Sequence, residues 1–181
     1  MNMFPLGDNA CPRQSAKDNC DKHVIKIITE ITQMATSAAI RHNATTDMLP
    51  LTKAGNPHRG GYHNHPMTRW LGDSRENYLW AIEHGSALCV EYTNRYGKTH
   101  FCTDSICNTL LGLAYLIPSF GMTTMPQCMP EEYKVEGDVV KAYRNYYMAE
   151  KRYMATWKDC RGKPSWWHER DFLYGVKFQG V

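Results

Sequence analysis

The sequence predicts a mainly α fold: a compact single domain of about four long helices joined by irregular loops. Apolar residues recur every three or four positions in four separate stretches, whereas the alternation of a half-buried strand is almost absent. Each stretch is preceded by a residue able to cap a helix, and proline or glycine closes the last two. The chain of 181 residues has the length of one domain, is long enough to bury a core and shows no repeat.

Met1 to Leu6 is apolar and precedes Gly7 and Asp8, which reads as a short extended segment and a turn. The segment to Asn19 is polar, carries Pro12 and is expected to be irregular in part. Asp18 or Asn19 then caps a helix from about Cys20 to Arg41, whose buried stripe is Val24, Ile27, Ile28, Ile31, Met34, Ala35 and Ala38. Between Arg41 and His63 lie three glycines and two prolines, so this stretch is a loop and the expected mobile element. His65 precedes Pro66, which disfavours the helical region and places Asn64 and His65 on an extended turn.

Asp73 or Ser74 caps the next long helix, with Glu76 in its first turn where the dipole favours negative charge. Tyr78, Ala81, Ile82, Gly85, Leu88, Cys89 and Tyr92 make its apolar face. A third pattern starts at Thr103 or Asp104, runs through Ile106, Leu110, Leu113, Ala114 and Ile117, and is closed by Pro118. After a methionine- and proline-rich loop, Asp138 caps a basic, aromatic helix to about Trp157. Gly162 and Pro164 break it, and the tail with Trp166, Trp167 and Tyr174 is expected to pack back on the body.

No apolar run approaches the roughly 20 residues needed to span a bilayer, and the N-terminus lacks the pattern of a secretion signal. A soluble, cytoplasmic protein is expected. Seven cysteines without a CxxC pair argue against a disulfide framework. His100, Cys102 and Cys107 do not have the spacing of a zinc finger, so no metal or other cofactor is expected. The formal charge of +3 is mild, but the basic residues gather. Lys53, His58 and Arg59 precede the central stretch, and Lys141, Arg144, Lys151, Arg152, Lys158, Arg161 and Lys163 interleave with Tyr143, Tyr146, Tyr147, Tyr153 and Trp157 near the C-terminus. Cations beside aromatic faces suit a phosphate and a stacked base. The alternative is that long basic side chains cover a helix whose aromatics are core.

Two polar rows border apolar seams. On the first long helix, His23, Lys26 and Glu30 are three and four apart, and Glu30 is its only interior acid. On the second, Asn77, His84 and Glu91 fall seven apart, with Arg95 one turn beyond. Each row reads either as a pocket wall or as a helix flank carrying an ordinary ion pair, Lys26 with Glu30 and Glu91 with Arg95. If both line pockets, the two helices pack with these edges facing one cleft.

Further residues suggest a family. Cys20-Asp21-Lys22-His23-Val24-Ile25-Lys26 with Glu30 and Gln33, Asn64-His65-Pro66 with Trp70, Asn77 and Trp80, Glu91-Tyr92 with Arg95-Tyr96-Gly97-Lys98, and Ala142-Tyr143-Arg144 with Tyr146-Tyr147 and Lys151 together resemble a family of small, largely uncharacterised bacteriophage proteins. The resemblance covers most of the chain and implies a phage protein working in the host cytoplasm. More distantly, Glu30, His65-Pro66 and Pro164-Ser165-Trp166-Trp167 are similar in order to the phage pyrimidine-dimer DNA glycosylases. Those small helical proteins cut the glycosidic bond beside a damaged base. Their α-amine nucleophile requires removal of the initiator methionine before a small residue. Asn2 departs from that pattern, so the resemblance carries over Glu30 but not the amine.

Three functions compete. The first is an enzyme acting on a nucleobase or its glycosidic bond, in DNA or a nucleotide. Glu30 is its carboxylate, Lys26 and His23 supply cationic character, and Asn64, His65, Trp70 and Trp80 frame the base. Asn77, His84, Glu91, Arg95, Arg144, Tyr147 and Lys151 complete the expected binding set. A lysine desolvated by burial can also form a Schiff base. The second is a non-catalytic binder of nucleic acid or a nucleotide, needing the same cations and aromatics. The third is a base-modifying transferase, for which no nucleotide-binding glycine motif is present.

Overall fold

The computed structural model describes residues 2–158 and 162–167. Cys160, Arg161 and Tyr174 lie outside the described residues. The fold is mainly helical, as expected. Five α-helices are described: α1 (Pro12–Asp18), α2 (Asp21–Arg41), α3 (Pro66–Asp73), α4 (Arg75–Tyr96) and α5 (Val139–Glu150). No strand occurs among the described residues, only an isolated bridge between Leu51 and Pro57.

Helix α2 is the centre. It packs on α3 and α4, and α1 packs on α4. Gly85 makes the α2–α4 approach close, because a Cβ there would lie 3.1 Å from both Ile31 and Ile106. Val24, Ile27, Ile28, Ile31, Met34, Ala35 and Ala38 are all buried, as their spacing predicts. Each large aliphatic so buried contributes about 1.5–3 kcal/mol over its exposed state.

Several boundaries differ from expectation. Residues 12–18 form α1, since Pro12 at its first position needs no N–H there and its fixed φ suits a helix start. Asp18 and Asn19 therefore end α1 rather than cap α2. Cys20 precedes α2 without a side-chain cap, and its N–H donates to the Tyr147 hydroxyl at 2.9 Å. Pro66 likewise opens α3 behind an extended His65, whose Nδ1 accepts the Met67 N–H at 3.2 Å. Ser74 caps α4 by accepting the Glu76 N–H.

The third expected helix is irregular. Ser105–Leu110 is π-helical and Leu113–Leu116 is 3₁₀. The widened turn leaves the Leu110 carbonyl to the Tyr78 hydroxyl at 3.0 Å. Arg75 covers the carbonyls of Ala114, Tyr115 and Ile117, which closes the 3₁₀ end.

Asp138 caps α5 through the Lys141 N–H, but α5 ends at Glu150 rather than near Trp157. The chain turns there to bring the Asp21 N–H to the Thr156 carbonyl and the Trp166 indole to Asp18. Trp166 and Trp167 thus pack against the body. No helix among the described residues is long and apolar enough to cross a membrane.

Candidate functional site

Segment 2–6 runs buried between α2 and α5, and it creates a small polar cavity of about 130 Å³. The lining is Asn2, Phe4, His23, Lys26, Ile27, Glu30, Cys128, Tyr146 and Lys151. Glu30 is 8 % exposed, and its carboxylate accepts the Asn2 backbone N–H at 3.0 Å. Lys26 approaches the other oxygen at 3.2 Å from a largely exposed position. Asn2 is itself fixed, donating from Nδ2 to the Cys128 carbonyl and accepting the Tyr143 hydroxyl proton.

His23 stacks on Phe4 at 4.7 Å and meets the Tyr147 hydroxyl through Nδ1 at 2.7 Å. That hydroxyl also accepts the Cys20 N–H, and we assign its single proton to His23 Nδ1. The ring proton is then on Nε2. Burial, with Lys151 and Lys26 nearby, lowers His23 to about 3. His23 is therefore a neutral hydrogen-bond donor near pH 7, which corrects the expectation that it adds positive charge. Lys151 supplies that charge from the other wall, 3.2 Å from the Tyr146 hydroxyl and 4.7 Å above its ring. Burial pushes the Cys128 thiol up, which leaves it a protonated wall. Burial also lowers His65, and the Glu30 charge opposes that shift, so the two groups feel each other.

Other expected site residues lie elsewhere. Asn77, His84, Glu91 and Arg95 are all buried, so their row is not a solvated flank. Asn77 is spent on the Trp70 carbonyl and on Thr123. His84 bonds the Pro12 carbonyl through Nδ1, stacks on Trp80 and is lowered by burial to about 4. Arg95 joins Glu91, Asp21 and the Lys17 and Asn19 carbonyls. Helices α2 and α4 do pack together, but the two polar rows share no cleft. One turns towards segment 2–6 and α5, the other towards α1 and Thr123.

Trp70 and Trp80 meet edge to face at 6.0 Å and line a separate cavity of about 460 Å³ with Met122 and Met125. Asn64 lies on the α2–α3 side, within 3.4 Å of Arg69. Arg144 is anchored to the Leu6 carbonyl, to Asp8 and over the Trp166 ring. The cavity at Glu30 thus gathers His23, Lys26, Glu30 and Lys151, with Tyr147 behind His23. Asn2, Phe4, Cys128 and Tyr146 join them with no periodic signal in the sequence. The one hint was an apolar run, Met3-Phe4-Pro5-Leu6, too short for a helix and too apolar for a free end.

No family model, curated protein or solved structure matches the chain.

Proposed function

We propose that the protein is an enzyme that breaks the N-glycosidic bond of a nucleotide unit, with Glu30 as its carboxylate. The observation that carries this reading is the Asn2–Glu30 contact at the floor of a cavity of about 130 Å³. A dry cavity of roughly 150 Å³ accepts one benzene ring, so this one is of the size for a single pyrimidine-like ring. Tyr146 lines it with an aromatic ring, and Lys151 and Lys26 offer cations for the adjoining phosphate. The distant resemblance of Glu30 and His65-Pro66 to the dimer glycosylases points the same way.

The chemistry needs few parts. As the bond between C1′ and the base nitrogen breaks, the base leaves with the bonding pair and the sugar becomes oxocarbenium-like. A buried carboxylate stabilises that charge far better than water does. The His23 Nε2–H donates to a carbonyl or ring nitrogen of the base, which helps it depart. Water adds at C1′, its proton passing to Glu30.

The test is single-turnover base release, read by mass spectrometry, from oligonucleotides and nucleotides carrying natural and damaged pyrimidines. Wild type should release a base, and Glu30→Gln should slow release by about a hundredfold or more, the scale of a lost acid or base. Full activity in a folded Glu30→Gln variant overturns the assignment. Tight binding without turnover by wild type supports the non-catalytic binder, and a mass gain on a base supports the transferase.

A further inference from the structure

Where α2 ends against α3, a second cavity of about 620 Å³ is lined by Ser37, Arg41, Asn64, Thr68, Arg69 and Asp73, among others. We infer that this cavity holds a backbone phosphodiester of a polynucleotide whose reacting unit sits at Glu30. The inference rests on the glycosidic reading above and names its substrate as a strand rather than a free nucleotide.

Three side chains support an anion there. Arg41 reaches Asp73 through Nη2 at 2.9 Å and lies flat over Gly72, where a Cβ would come within 2.6 Å of that nitrogen. Its Nε and Nη1 have no hydrogen-bond partner among the described residues. Among the described residues the Arg69 guanidinium makes only the 3.4 Å contact with Asn64 Oδ1. Thr68 is 2 % exposed, yet its hydroxyl has no partner among the described residues. A buried hydroxyl left unpaired costs about 1–3 kcal/mol, and Thr68 borders the cavity, so a phosphate oxygen there would give it a partner.

The charge count favours a diester. Asp73 answers one guanidinium, and the remaining one matches the single negative charge of a phosphodiester. A phosphomonoester dianion would be under-compensated.

The spacing favours a strand. Glu30, Ser37 and Arg41 are seven and four apart and share one face of α2. At 1.5 Å per residue, Glu30 and Arg41 are about 16 Å apart along the helix, a span that takes several nucleotide units rather than one. The loop between the two cavities follows the same face. Ser37 Oγ accepts the Gly61 N–H at 2.8 Å, and Gly60 at φ 71° lies so close to Ser37 that no side chain fits. Gly61 lies over Gln33, one turn beyond Glu30. The brace holds Tyr62 at φ 57°, uncommon for a bulky residue, and 56 % exposed. Tyr62 is thus an exposed aromatic on the loop that joins the two cavities, where an intervening base can stack.

The test compares wild type, Arg41→Gln/Arg69→Gln and Thr68→Val for binding inorganic phosphate, thymidine bisphosphate and oligothymidylates of about two to ten units, at several salt concentrations. Wild-type affinity should rise once the strand is long enough, at several units, to reach both cavities, and the double variant should lose that rise. Its slope of log K against log salt should fall by about 0.7, the value for one single-strand phosphate. Thr68→Val should lose part of the same rise without a change in slope. The Arg41–Asp73 pair is exposed, so the double variant should melt close to wild type. If it does not, Arg69→Gln alone carries the comparison. An unchanged length dependence and slope in the variants overturns the inference. So does wild type that binds no strand, or that binds free phosphate or the bisphosphate as tightly as the longest strand. The catalytic reading fails separately: a Glu30→Gln enzyme with full base release would remove it while leaving this length dependence in place.

Discussion

The Glu30 carboxylate and the Asn2 backbone N–H, 28 residues apart in sequence, meet at 3.0 Å in the interior. This contact fixes segment 2–6 against α2 and closes one side of the cavity. Glu30 thus has two tasks, holding the segment and facing the cavity, and substitutions separate them.

Glu30→Gln keeps an oxygen for the Asn2 N–H and loses only an ion pair to a largely exposed lysine, worth little. Its melting temperature should stay within a few degrees of wild type. Glu30→Ala strands a buried N–H at a cost of about 1–3 kcal/mol, or roughly 3–10 °C in Tm for a chain of this size. Thermal melts of both variants decide it. An equal drop in both would mean that the charge, rather than the hydrogen bond, holds the segment.

Tyr147→Phe should change a tautomer. The hydroxyl accepts from Cys20 and donates to His23 Nδ1, which keeps the imidazole proton on Nε2. Without it the Cys20 N–H is unsatisfied, and the variant should lose about 1–3 kcal/mol. His23 is then free to carry its proton on either nitrogen. Imidazole nitrogen shifts in NMR should move from a single Nε2–H form to a mixture, and base release should slow with the loss of the oriented donor. An unchanged tautomer in a folded variant would show that the Phe4 stack alone sets it.

The buried stripe of α2, the caps Ser74 and Asp138, and the extended His65 before Pro66 were legible because each rests on a local rule of spacing or backbone sterics. The helix α1 was not, because its signal was a proline, read as a breaker when it stood at a helix start. The end of α5 was misplaced by seven residues' worth of helix-compatible sequence whose tertiary partners, Asp18 and Asp21, pull it into another path. At the site, the row His23, Lys26, Glu30 is given by helical periodicity. Asn2, Tyr146 and Cys128 reach it only through long-range packing, which no local pattern encodes. The second row looked equivalent in spacing. Its groups are consumed by internal partners that a sequence does not show.

Stability should fall on mild acidification. Burial lowers His23 to about 3 and His84 to about 4, and it lowers His58, His65 and His100 as well. For a histidine whose folded value is depressed, the unfolded chain takes up the proton first. The contribution is thus complete above about 6.5 and is lost as pH falls towards the folded value. At pH 5 this amounts to about 2 kcal/mol for each of His23 and His84. Asp18, raised by burial, works in the opposite sense, adding stability as pH falls through its raised value. Urea unfolding at pH 7.5 and pH 5 should show the loss, and His84→Phe, though weaker at pH 7.5, should show a smaller difference between the two. An equal difference would remove His84 from the account.

The largest single loss of stability should come from Arg95. Its guanidinium is almost fully buried and spreads its donors over Glu91 and Asp21, at 3.3 and 3.1 Å, and over the Lys17 and Asn19 carbonyls, both at 2.9 Å. The two carbonyls belong to the last turn of α1 and its cap, where helical partners run out. Asp21 in turn binds the Thr156 hydroxyl and the Lys158 N–H, so one side chain ties α1, α2, α4 and the segment after α5. Arg95→Lys keeps the charge but offers a compact ammonium in place of a planar fork, and it cannot reach partners in four directions. Removing one partner of a buried ionic network typically costs about 3–5 kcal/mol, since the remaining charges stay desolvated. Arg95→Met withdraws the guanidinium from both carboxylates at once and should be worse than Arg95→Lys, whereas the triple change Asp21→Asn/Glu91→Gln/Arg95→Met should recover part of the loss. Chemical unfolding of the three proteins gives the order directly. If Arg95→Lys melts like wild type, the guanidinium's geometry is not what joins these elements.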